Sequence, residues 1–128
     1  MKRNPALQPL SREHHTALTL SKACARAVEA RDDARVEETC QRVVQAFAAE
    51  LEPHFQIEEQ SLLPLLHGAK HQALVQHTLA DHRELRALLE GVRRNDSHAL
   101  GSFGRRLADH VRFEERALFP ALEDMMPR

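Results

Sequence analysis

A thirteen-residue segment occurs twice in the chain, 56 residues apart. His54 to Leu66 reads HFQIEEQSLLPLL and His110 to Leu122 reads HVRFEERALFPAL; the His, both Glu, one Leu, the Pro and the final Leu are identical. In each copy a His stands four residues before the first Glu. On a helix that spacing puts both side chains on one face, one turn apart. Two such helices packed face to face gather two imidazoles and two carboxylates, the raw material of a metal site.

The rest of the chain supports helices. Its 128 residues suit a single domain spanning 1–128. That length buries a core without disulfides. Ala, Leu, Glu and Arg dominate, and glycine is scarce, which favours helix. Four amphipathic blocks are readable. The first runs from about Arg12 to Ala30, with Ser11 as N-cap and a stripe of Leu10, Ala17, Leu18, Cys24 and Val28. The second runs from about Ala34 to Leu66, with Asp33 as cap, a kink at Pro53 and a stop at His67-Gly68. The third covers about Lys70 to Arg93. After a turn at Asn95-Asp96-Ser97, the fourth covers about His98 to Asp124. No segment alternates with period two. The expected fold is all-α, an up-down-up-down four-helix bundle with a metal site in its core.

Each block carries a ligand-type residue on its apolar stripe. These are His14, the pair His54 and Glu58, His82, and the pair His110 and Glu114. Singly, each has an ordinary explanation. A His-x-x-x-Glu pair is more often a surface contact, and a lone core histidine more often bonds a backbone group. Their convergence is what points to metal, because buried carboxylates are expensive and repel each other unless a cation lies between them. Glu59 and Glu115, ~100° further round, are expected to face solvent or a rim arginine such as Arg112 or Arg116. His67, His71 and His98 read as surface residues, and His15 and His77 flank the stripe. The two cysteines, Cys24 and Cys40, form no C-x-x-C pair and are expected to be reduced thiols rather than ligands.

Four imidazoles and two carboxylates exceed the needs of one tetrahedral zinc. Mixed N and O donors suit iron, with zinc or manganese as substitutes. Two six-coordinate ions need about twelve donor positions. Four His, two bridging carboxylates and a bridging oxygen supply all but about two, leaving room for O2, NO, peroxide or water. The spacing differs from the Glu-x-x-His grammar of ferritin-like bundles and from the His-Glu-x-x-His of zinc proteases. No nucleophile–base pair is readable, so no catalytic residue is assigned. Net charge is −1 with no basic block, which gives no nucleic-acid or membrane-surface footprint. No bilayer-length apolar stretch or secretory leader is readable, so the cytoplasm is the expected compartment.

As a set, these motifs resemble the hemerythrin-like or HHE cation-binding family over nearly the whole chain. The resemblance is carried by Leu10-Ser11-Arg12-Glu13-His14-His15, His54-x-x-x-Glu58-Glu59-x-x-Leu62-Leu63-Pro64, Asp81-His82-Arg83-Glu84-Leu85 and His110-x-x-x-Glu114-Glu115-x-x-Leu118-Phe119-Pro120. It implies a non-haem di-iron centre, two Fe ions joined by an oxo or hydroxo bridge. His14, His54, His82 and His110 would be terminal ligands, and Glu58 and Glu114 bridges. The O2-carrying members have a fifth His where this chain has Thr78, with His77 one position off register. Their last carboxylate follows the fourth-helix His by five residues, whereas this chain has Glu at four and at five. The resemblance therefore leans toward the HHE proteins linked to iron, oxygen, nitric oxide or redox responses. Two other readings stay open: a di-iron enzyme acting on peroxide, O2 or NO, and a metal-free helical scaffold for a protein partner.

Overall fold

The computed structural model describes residues 3–127, whose regular secondary structure is all helix, with no strand among the described residues. The first rod is α1 (Gln8–Glu29). It starts a turn before the position read from sequence. Pro9 sits in its first turn, where a missing N–H costs nothing. Its N-cap is Leu7, without a side-chain bond, so Ser11 is not the cap; the Ser11 hydroxyl instead donates to Glu115 at 2.8 Å.

The second rod begins with α2 (Asp33–Ala46), capped by Asp32 rather than Asp33, whose carboxylate accepts from the Ala34 and Arg35 amides. It continues through a π turn (Phe47–Leu51), α3 (Glu52–Ile57), a second π turn (Glu58–Leu62) and a 3₁₀ turn (Leu63–Leu65). Gly68, at φ 93°, ends it in a region that L side chains rarely adopt. The third rod is α4 (Gln72–Arg93), entered through a 3₁₀ turn (Ala69–His71). That turn buries His71, contrary to its expected surface position; His67 and His98 are exposed. Asp96 caps the fourth rod, made of α5 (Ser97–Phe113), a third π turn (Glu114–Leu118) and α6 (Phe119–Met125).

The three π turns share one cause. Each ends two residues before a proline: Pro53, Pro64 and Pro120. Proline donates no N–H and its ring crowds the carbonyl four residues back. In each case the residue just before the proline donates to the carbonyl five back: Glu52 to Phe47, Leu63 to Glu58, and Phe119 to Glu114. The widened turn accommodates the ring without breaking the rod. The irregularity expected at Pro53 takes this form.

The rods close into an up-down-up-down four-helix bundle. α1 packs on α2 and α5, and α4 packs on the same two. Its apolar interior is divided. One cluster includes Leu51, Phe55, Leu107 and Val111; the other includes Leu10, Leu62, Leu118 and Phe119. The buried His and Glu residues lie in neither cluster. Among the described residues, no helix is long and apolar enough to cross a membrane.

α1 and α5 approach closely at Gly104. A Cβ there would stand 2.8 Å from Cys24 Cβ and 3.1 Å from the Ser21 carbonyl. Gly104→Ala should therefore lower stability by about 1–3 kcal/mol, the usual cost of overpacking, despite alanine's better helix propensity. Urea denaturation checks this; an unchanged or raised midpoint would show that the two helices separate freely.

Candidate metal centre

Six buried residues from all four rods meet at the centre: His14 on α1, His54 and Glu58 on the second rod, His82 on α4, and His110 and Glu114 on the fourth. All are at most 4% exposed, and Glu58, His82 and Glu114 are at 0%. They form two overlapping sets of four: His14, His54, Glu58 and Glu114, and Glu58, His82, His110 and Glu114. Within each set, one N or O atom from every member lies within 4.8 Å of the others. Both sets use both glutamates, whereas each histidine belongs to one. The cluster comprises the six residues singled out from sequence.

Three of the four imidazoles, His14, His54 and His82, are held from both sides, and His110 from its Nδ1 side alone. The Nε2 atoms point inward: His14 to Glu114 at 2.7 Å, His54 to Glu58 at 3.1 Å, and His82 to Glu58 at 3.0 Å. The Nδ1 atoms each meet a carboxylate: His14 with Glu115 at 2.6 Å, His54 with Glu13 at 2.9 Å, His82 with Glu59 at 2.6 Å, and His110 with Asp81 at 2.8 Å. A carboxylate behind the imidazole fixes its tautomer and raises its basicity toward a metal.

Two of these carboxylates are themselves clamped. Arg86 bonds Glu59 at 2.8 Å and Glu52 at 2.6 and 2.9 Å. Its guanidinium lies over Phe55, on which the His82 ring stacks at 3.9 Å. Arg3 bonds Glu115 at 3.2 Å and Glu123 at 2.7 Å. It lies over Phe119, on which the His14 ring stacks at 5.1 Å. Glu59 and Glu115 are thus half-buried and each meets an arginine, as expected, but the arginines are Arg86 and Arg3 rather than Arg112 or Arg116. Their histidine partners come from a neighbouring helix, a register that no single-helix pattern contains. The available signal was the repeat itself, since the second Glu of each doublet is among its identical positions.

Neither flanking histidine joins the cluster. His15 is exposed. His77 has a half-exposed side chain, stacks on Phe113 at 3.8 Å and meets Asp81 at 3.2 Å. Thr78 is fully buried and donates to the Leu74 carbonyl. Cys24 and Cys40 are free thiols in the apolar core. Burial, with Cys40 nearby, pushes the Cys24 thiol up to about 12, leaving it protonated.

The centre suits a cation. His110 Nε2 and Glu114 Oε2 lie 3.1 Å apart, yet neither has a hydrogen-bond partner. The pair is close without the alignment that a bond needs. Leaving a buried polar atom unpaired costs about 1–3 kcal/mol, and a shared cation removes that cost. Burial and the nearby Glu114 charge push the Glu58 carboxyl up. Burial also acts to raise Glu114, but the His110 charge, with bonds from Glu58 and His14, holds it well below the usual range. Burial opposes charge on His54, yet bonds to Glu114 and Glu58 push it up to about 11. His110 rises to about 10 against the same opposition, through the Glu114 charge and its Asp81 bond. Protons on His54 and His110 thus supply positive charge beside the glutamates where a metal ion would do so.

A family model for the Hemerythrin HHE cation binding domain matches residues 6–122. The chain belongs to that family, and cation binding is the property the family implies for it. Comparison with curated proteins and with solved structures found no match.

Two expectations follow from this geometry. Glu59→Ala should weaken metal binding about 10- to 100-fold, the usual cost of losing a carboxylate behind a ligating histidine. Isothermal titration checks it; unchanged affinity would mean that His82 needs no support. In metal-free protein, charged His54 and His110 contribute stability that is complete below their ordinary value of 6.5 and lost as pH rises through about 10 and 11. Metal affinity should move oppositely, rising with pH as protons leave the imidazoles. Melting curves at several pH values, with and without metal, should diverge as pH rises from neutrality; parallel curves would contradict this.

Proposed function

We propose that the chain is a single-domain di-iron protein that senses or handles a small species such as O2, NO or peroxide, or the cell's iron or redox state. The carrying observation is the overlap of the two four-residue sets at Glu58 and Glu114. On this reading Glu58 and Glu114 bridge two ions. His14 and His54 complete one site, and His82 and His110 the other. The N/O donor set favours iron, with zinc or manganese as substitutes. When bound, such a pair supplies redox chemistry with coordination positions left for a small ligand.

The chain's own residues provide the surroundings. The carboxylates behind the imidazoles orient the four Nε2 atoms. Beside the cluster lies a cavity of about 10 Å³, lined by Ala17, Leu51, Phe55, Leu107 and Val111 together with ligand residues. That volume suits about one water-sized molecule, and its apolar wall favours a neutral guest. Thr78 and the outward His77 leave the second site with two histidines, which supports sensing or redox handling over reversible O2 carriage. The same cavity gives some support to turnover of peroxide or NO, which an assay on iron-loaded protein would detect.

Metal analysis after iron loading should find about two ions per chain. Because each glutamate belongs to both sets, Glu114→Ala should lose both ions; His54→Ala, which touches one set, should retain about one tightly held ion. Binding should raise the melting temperature of the wild type. A preparation that takes up no iron, zinc or manganese, with unchanged stability, would favour a metal-free scaffold.

A further inference from the structure

Two of the three π turns belong to the repeat, but the Phe47–Leu51 turn does not. The position matching Pro53 in the fourth rod is Asp109, and residues 103–107 there run as regular helix within α5. The unrepeated turn lies across from α1. Between them is a cavity of about 370 Å³, with Thr16, Leu20, Ala46 and Ala49 among its walls. It shares Glu13, Ala17, Leu51 and His54 with the small cavity at the cluster. Those four side chains form the partition between outside and inside.

Only one of the four is poised to move. Ala17, Leu51 and His54 are buried. Glu13 has a side chain 47% exposed, and its hydrogen bond to His54 Nδ1, 2.9 Å long, is all that ties it among the described residues. The other carboxylates behind the imidazoles are held more firmly. Glu59 is gripped by Arg86, Glu115 by Arg3 and Ser11, and Asp81 by His77.

We infer that the cavity beside the Phe47–Leu51 turn is the entrance by which small neutral molecules reach the cluster, and that Glu13 is its gate. Releasing His54 opens the partition at Ala17 and Leu51. Re-forming the bond closes it and restores His54 to its fixed orientation. A carboxylate at the neck disfavours anions and leaves neutral species of a few atoms as the fitting guests. The inference rests on the reading of the cluster as a metal site.

Nitric oxide binding to the ferrous protein, followed by stopped-flow absorbance, tests the route, with iron content measured for every sample. Thr16 and Ala49 are exposed, sit on opposite walls of the outer cavity and do not line the inner one. Thr16→Trp and Ala49→Trp should each slow association and dissociation together by about tenfold or more, leaving Kd and iron content unchanged, as a gating step requires. Ala25→Trp, in the groove between α1 and α5, should match wild type. Glu13→Ala should weaken iron binding as Glu59→Ala does, so its rates are compared at full iron loading, where both should rise; Glu13→Gln, which keeps an acceptor for the His54 N–H, should raise them less. Wild-type rates in both iron-loaded Trp variants would overturn the entrance, and unchanged rates in Glu13→Ala would overturn the gate. A wild-type protein that takes up no iron would overturn the metal reading, and the route with it.

Discussion

Two carboxylates, Glu58 and Glu114, stand fully buried side by side between the two apolar clusters. An isolated buried charge costs several kcal/mol even after relaxation, and two like charges compound it. The bundle answers with four imidazoles, one from each rod, aimed at the pair. Each imidazole is backed by its own carboxylate, and two of those carboxylates are gripped by arginines. The polar centre is thus a layered construction of alternating charge. Breaking any layer leaves the next one inward without its partner. The same alternation makes the centre receptive to divalent cations, which would replace protons the cluster otherwise retains.

Backbone and centre are linked through proline. Pro64 and Pro120 each force a widened turn that begins on a buried glutamate. The repeat therefore carries a backbone device as well as a ligand pair. π turns are frequent at functional sites, and here their placement follows from proline chemistry. The extra turn before Pro53 breaks the symmetry of the two copies and gives one side of the centre a neighbouring cavity that the repeat alone does not predict.

Much of this was legible in the sequence. The 3.6-residue periodicity located four rods, and the inward face of each marked the six clustered residues. Glu58 and Glu114 were separable from Glu59 and Glu115 because adjacent helical positions diverge by about 100°. What lay between helices was not legible. Asp81 behind His110, Glu13 behind His54, and the arginines that hold Glu59 and Glu115 depend on inter-rod register. Ser11 looked like a cap because its residue type suits one, but Pro9 had already started the helix, freeing the hydroxyl for Glu115. His71 looked like a surface residue because it stands at a helix start, and a 3₁₀ turn buries it.

The central claim is that one pair of bridging glutamates holds two metal ions. Anomalous diffraction at the iron edge, on crystals of iron-loaded protein, tests it most directly. The account predicts two peaks at the bundle centre, one beside His14 and His54, the other beside His82 and His110, with Glu58 and Glu114 touching both. A single central peak, or peaks only at the protein surface, would contradict it.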